Sequence, residues 1–174
     1  ASLEALRIYC GRLCDHLRAH RGDDSACIDA ILQNLDVCPW EPPRSFYQAV
    51  QSLWLMFAFC RLAGNWPGLG RVDQMLGGYL RKDLRDGTLS IGQAREILAH
   101  FFIKGCEWIT LCETENGDAQ HFQNIVLAGV DEDGAEVANE VTRLILEVVE
   151  ELPIGDFPIA VRINRASPDW LLSA

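Results

Sequence analysis

Apolar positions recur at helical spacing through the first two thirds of the chain and give way to β-branched runs in the last third. Leu3, Leu6, Cys10, Leu13, Cys14 and Leu17 define a first helix, closed by the turn-forming "RGDDS". Asp23, Asp24 or Ser25 can cap a second, with Cys27, Ile28, Ile31, Leu32 and Leu35 on one face, and the prolines of "CPWEPPR" end it. A long apolar helix follows from about Ser45 to Ala63, with Phe46, Trp54, Phe57 and Phe59 as core positions. The stretch "GNWPGLG" then separates it from "RVDQMLGGYLRKDLRDG", a helix weakened at Gly77 and Gly78 and stopped at Gly87. Ser90 fits the N-cap of the next helix, which the pattern carries to Trp108. "HFQNIVLAGVDEDGAEV" reads as a strand entering a tight turn, "NEVTRLILEVVEEL" as a helix and "FPIAVRIN" as a second strand. The fold class expected is α/β, predominantly helical, with two or more strands late in the chain and no internal repeat.

Length and charge narrow the function classes. At 174 residues and 49% hydrophobic content the chain can bury one domain's core. A net charge of -10 leaves no excess of Lys and Arg for phosphates, against nucleic acid or an anionic membrane surface as partner. The one long apolar stretch contains Gln48 and Gln51 and ends in Arg61, so it reads as a buried helix rather than a membrane span. Seven scattered cysteines without a CxxC pair read as reduced thiols, which places the chain in the cytoplasm. Both ends are abrupt, as in a piece of a longer protein.

Each chemical constellation has a structural reading beside it. "GLG" lacks the preceding strand and the GK[ST] of a phosphate loop, so Gly64, Gly68 and Gly70 are expected to serve positive φ angles or close packing. Arg71 and Asp73, two residues apart, cannot pair along a helix and are expected to find partners elsewhere. His16, His20, His100 and His121 lack ligand-spaced neighbours apart from Cys14, so no metal site is expected. Cys106 in "GCEW" has no evident base and reads as a packed thiol, though an unrelated all-α enzyme using Cys106 and a distant histidine is a competing hypothesis. "VDEDGAE" is too short for a calcium loop and reads as a solvated turn.

The order of several strings is more specific than any one of them. "EPPRSFYQAVQSLW", "GLGRVDQML", "YLRKDLRDGTLS", "AREILAHFFIK", "FQNIVLAGVDEDG", "NEVTRLILEVVEELP" and "VRINRASPDWLL" together resemble the pyruvate formate-lyase-like domain of glycyl radical enzymes, nearly end to end. The resemblance implies a ten-stranded α/β barrel wrapped by helices. Residues 1–174 would be a partial domain, with 1–112 mainly helical and 120–174 the strand–helix–strand portion of the barrel. In that family an activating radical S-adenosylmethionine enzyme places a radical on a C-terminal glycine, which oxidises an active-site cysteine to a thiyl radical. The reactions include formate acetyl transfer, dehydration, decarboxylation and other radical cleavages of C–C, C–O or C–N bonds under anaerobic metabolism.

The family's G-C-x-E cysteine loop and R-V-x-G-Y glycine motif do not occur in these residues, and "GCEW" stands at the wrong place to be that loop. The resemblance therefore implies no catalytic residue and no bound cofactor here, and a segment inactive by itself. Aligned on Gly70 and Arg71, Asn65 and Trp66 replace the His-Ser pair of the family's substrate loop, which would favour a bulkier or less hydroxylated substrate. Phe122 joins them as a pocket-wall residue, and Ala119 replaces a common aromatic. Arg71, Asp73, Gln123 and Asn124 are expected to build and anchor the barrel. Implied partners are a small organic substrate, the activating enzyme and a second copy in a homodimer. The competing reading is a non-catalytic, self-associating interaction module that covers the open edges of its two strands.

Overall fold

The computed structural model describes residues 2–22, 25–62, 68–105, 124–152 and 157–173. Five helices come first: α1 (Ser2–Ala19), α2 (Ser25–Val37), α3 (Phe46–Leu62), α4 (Val72–Arg85) and α5 (Ile91–Gly105). Strand β1 (Ile125–Ala128), helix α6 (Glu140–Glu151), strand β2 (Ile159–Arg162) and the short α7 (Asp169–Leu172) complete the order. The result is mostly helical with a small parallel sheet.

Local chemistry accounts for the helix boundaries. Ser90 and Gln93 cap α5 reciprocally: the Ser90 hydroxyl accepts the Gln93 N–H at 3.3 Å, and the Gln93 side chain accepts the Ser90 N–H at 2.9 Å. Asn139 and Thr142 do the same at α6, where Thr142 Oγ1 accepts the Asn139 N–H at 3.0 Å and Asn139 Oδ1 accepts the Val141 N–H at 2.8 Å. Helix α4 ends as the sequence expects, with Gly87 at φ +69°.

It also runs unbroken through Gly77 and Gly78, because the tertiary fold uses the missing side chain. A Cβ on Gly77 would lie 2.8 Å from the Asn139 amide nitrogen, so this glycine lets α4 approach the start of α6. Cys27 departs from its expected place on the packed face of α2 and is exposed, whereas Leu35 further along the helix is buried. It stands in the first turn of α2, beyond the small cluster that the helix's later residues enter.

Two apolar clusters form. The larger gathers Phe46, Phe57, Leu76, Leu80, Leu98, Phe102, Ile125, Leu127, Leu144 and Ile145, among others, from α3, α4, α5, β1 and α6. The smaller packs Leu6, Cys10, Leu35, Cys38 and Leu55 between α1, α2 and α3. Helix α3 feeds both, which explains its apolar character on more than one face.

β1 and β2 pair in parallel with register Ile125↔Ile159 through Ala128↔Arg162, and α6 provides the crossover that parallel neighbours require. β1 is central: its other side meets Gly70, which donates to the Asn124 carbonyl at 3.3 Å and accepts from the Val126 N–H at 2.8 Å. β2 is far more exposed, and its outer edge has no strand partner among the described residues.

Candidate functional site

The best-defined polar arrangement lies where the start of α4 meets the end of β1 and the N-terminus of α6. Asp73, in the first turn of α4, is fully buried. Its Oδ2 accepts from the Ala128 N–H at 2.6 Å and the Thr142 hydroxyl at 2.7 Å, while Oδ1 accepts the Gln74 N–H at 2.8 Å. The Asn139 amide donates to the Asp73 carbonyl at 3.0 Å, so the α6 cap and the α4 start are tied twice. Arg71 reaches the same strand end, donating to the Ala128 carbonyl at 2.5 Å and the Val130 carbonyl at 2.7 Å.

These bonds hold a strained backbone. Ala128 has φ +56°, a left-handed conformation that costs an L-residue about 1–2 kcal/mol. Hydrogen bonds to charged groups contribute about 1.5–3 kcal/mol each, and Asp73 and Arg71 grip both the N–H and the C=O of Ala128, so the bonds outweigh the strain. Gly129 follows at φ +87°, where a Cβ would stand 2.8 Å from that of Arg162. The two residues turn the chain sharply out of β1 beside the end of β2.

The turn beyond is closed by Asp131, whose side chain accepts the N–H groups of Asp133 at 3.0 Å and Ala135 at 2.8 Å. Glu136 then clamps the segment after β2. Its carboxylate accepts from Asn164 Nδ2 at 2.5 Å, Ser167 Oγ at 2.8 Å and the N–H groups of Val137 and Ala138 at 3.0 and 2.9 Å. Burial disfavours the charged form, but those hydrogen bonds outweigh it and hold the carboxyl below its ordinary pKa.

Of the expected pocket residues, Asn65, Trp66 and Phe122 lie outside the described residues, as do Gln123, Cys106, Cys112 and Ala119. Asn124 is exposed, and its carbonyl accepts from Gly70. Gly68, the first described residue after Asn65 and Trp66, stands beside the Asn124 carbonyl, with 4.0 Å from its Cβ position to that oxygen. Thus the residues that follow the two expected pocket segments run side by side. Thr142, Asn139 and Glu136 were not singled out from sequence. The N-x-x-T spacing before an apolar run is a legible cap signal for the first two, whereas nothing local marks Glu136.

Cys10 and Cys38 are buried in the small cluster, and burial pushes both thiols above their ordinary pKa. A shallow cleft between α4 and α6, lined by Gly77, Arg81, Asn139, Glu140 and Arg143, contains no cysteine. No group of three or more His, Cys, Asp or Glu converges on a metal-sized site among the described residues. None of the described helices is long and apolar enough to cross a membrane.

Residues 2–174 match the PFL-like (pyruvate formate lyase-like) family, and the chain belongs to it. It is 30% identical over 150 residues to the isethionate sulfite-lyase of Desulfovibrio desulfuricans, covering 82% of this chain and 18% of that protein. It is 26% identical over 192 residues to the trans-4-hydroxy-L-proline dehydratase of Clostridioides difficile, covering 99% of this chain and 24% of that enzyme. Among solved structures, a glycyl radical enzyme from Archaeoglobus fulgidus superposes with a TM-score of 0.83 at 27% identity, over 97% of this chain and 23% of that one. The chain therefore spans less than a quarter of the length of these relatives.

Proposed function

We propose that this chain is the helical and early-barrel portion of a glycyl radical enzyme that cleaves a small organic substrate, and that it supplies pocket wall rather than reacting atoms. In this reading residues 1–112 form the helical wrap, and 120–174 contribute strand, helix and strand to a ten-stranded barrel. The thiyl cysteine and the glycyl radical reside elsewhere in the complete enzyme, and the radical is installed by a radical S-adenosylmethionine activase. The sulfite-lyase, dehydratase and decarboxylase relatives favour radical C–S, C–O or C–C cleavage over acyl transfer, with C–N cleavage a further member of the same chemistry. The setting is an anaerobic cytoplasm, with a homodimer as the expected assembly.

The observation that carries the pocket assignment is the adjacency of Gly68 and Asn124. Gly68 follows Trp66 by two residues and Asn124 follows Phe122 by two, so the described ends of both segments meet at the start of β1. Incubation with an activating enzyme and S-adenosylmethionine is expected to give no radical on any glycine of residues 1–174, read by electron paramagnetic resonance, and a radical mapped to one of them overturns the proposal. In the complete enzyme, Trp66→Ser is expected to shift preference toward hydroxyl-rich substrates. Unchanged kcat/KM ratios across diol and bulkier substrates overturn the pocket-wall role.

A non-catalytic self-associating module is the second reading, favoured by the unpartnered outer edge of β2 and the exposed Val161 and Ile163 beside it. A discrete oligomer of the 174-residue chain in size-exclusion chromatography supports it, and heterogeneous aggregate supports the barrel reading.

A further inference from the structure

We propose that His16 and His20, at the C-terminal end of α1, form a two-imidazole chelate for a late first-row divalent cation of the nickel, copper or zinc class. The inference is independent of the radical-enzyme reading and lies at the opposite end of the chain from the β1–α6 node.

In "HLRAH" the two histidines stand four positions apart and so share one face of the helix. Their ring centroids are 4.1 Å apart with the planes inclined at 31°. Two imidazoles each holding one metal at about 2.1 Å, at a right angle to one another, would put their centroids about 4.5 Å apart. The centroid spacing is therefore within about half an ångström of the one a shared ion requires.

Protonation is also arranged. His20 Nδ1 lies 2.9 Å from the His16 carbonyl oxygen, which accepts the His20 backbone N–H at 3.0 Å as well. A carbonyl only accepts, so Nδ1 carries a proton, and in the neutral ring it is Nε2 that offers its lone pair to a metal. This backbone-carbonyl support of a histidine is the arrangement that orients imidazole ligands in metal sites.

The electrostatics agree. A helix C-terminus carries partial negative charge and favours a cation. Arg18 is paired with Asp15 at 3.3 Å and Arg21 with Asp29, so neither leaves an uncompensated positive charge, while Arg12, one turn before His16, stands exposed on the same helix. Both histidines are exposed, leaving water to fill the remaining coordination positions. With two protein ligands the site is exchangeable rather than structural, and imidazole selects nickel, copper and zinc over magnesium and calcium. The sequence expectation of no metal site rested on the lack of acidic or cysteine neighbours at ligand spacing apart from Cys14, whereas here the two histidines are each other's partners.

Calorimetric titration of the intact protein with NiCl2, its cysteines kept reduced, tests this. The wild type is expected to bind an equivalent of nickel that His16→Gln and His20→Gln each weaken by about tenfold or more. Cys14→Ser, which removes the nearest thiol on the same helix, leaves that equivalent intact. All three positions are at least partly exposed, so the variants keep the fold, and matching far-ultraviolet circular dichroism verifies it. A wild type that takes up no nickel at this site, an equivalent that persists in the double histidine variant, or one that vanishes in Cys14→Ser each overturns the proposal.

Discussion

The two apolar clusters are held by different physics. Around Leu6, Cys10, Leu35, Cys38 and Leu55, α1, α2 and α3 meet chiefly through non-directional burial, supplemented by Asn34 Nδ2 donating to Gln51 Oε1 at 3.0 Å and the Cys38 thiol donating to the Gln48 carbonyl at 3.4 Å. Around α4, β1 and α6 the apolar core is joined to a buried carboxylate, an arginine and a capping box whose bonds fix both distance and direction. Burial makes helices adhere but tolerates sliding, whereas the Asp73 node sets the end of β1 against the start of α6 in a single arrangement. The proposed pocket segments border the second kind of region through Gly68 and Asn124.

The aromatic heart of the large cluster offers the strongest test. Phe157 stacks on Phe101 at 5.7 Å, packs against Phe57 at 5.4 Å, and fills space that a Cβ on Gly105 would enter at 1.9 Å from its ring. Phe157→Ala is expected to cost about 4 kcal/mol in urea denaturation, since truncating a buried aromatic removes both transfer energy and packing. Next comes Asp73→Ala, at about 3 kcal/mol, because it leaves the Ala128 N–H and the Thr142 hydroxyl buried without their acceptor. Asp73→Asn keeps an acceptor oxygen and is expected to lose less; a loss below about 1 kcal/mol for the alanine variant would erase the distinction between the regions.

Leu6→Ala probes the small cluster, at about 2.5 kcal/mol, near the low end for leucine truncation because α1 has a solvent-facing side and can settle inward. Asn139→Ala should cost about 1 kcal/mol, the usual loss of an N-cap, read by thermal melts. The smallest effect is the pH response of Glu136. Its folded pKa lies below the unfolded value, so its contribution is present above the ordinary carboxylate range and disappears as pH falls through the lowered folded value. Acidification should thus lower the Tm of the wild type more than that of Glu136→Gln, and equal slopes would dismiss the clamp.

Much of the helical layout was legible because its signals are local. Ser90 three residues before Gln93, Gly87 after a basic last turn, and the prolines after Val37 each act within one turn of chain. The strand–turn–helix order from Ile125 to Glu151 was likewise readable from β-branched runs and turn residues. What escaped was relational. Gly77 and Gly78 look alike along α4, yet only Gly77 faces the Asn139 side chain. Glu136 looks like one more acid in "DEDGAE", and its role arises only when Asn164 and Ser167 arrive from the far side of β2.

By itself the sequence determined most of the helix starts and stops, the late strands and, through the collinear order of its strings, the glycyl radical family, while the expected run of α5 on to Trp108 lies outside the described residues. Those depend on propensity, capping and spacing, which short stretches carry whatever surrounds them. Only the tertiary structure decided that Arg71 and Asp73 grip opposite sides of one left-handed alanine, that β1 is central and β2 an edge, and that His16 and His20 lie ring to ring. Each is a matter of which atoms end within about 3–4 Å of one another, and the range of hydrogen bonds and packing forces makes that invisible until distant segments meet.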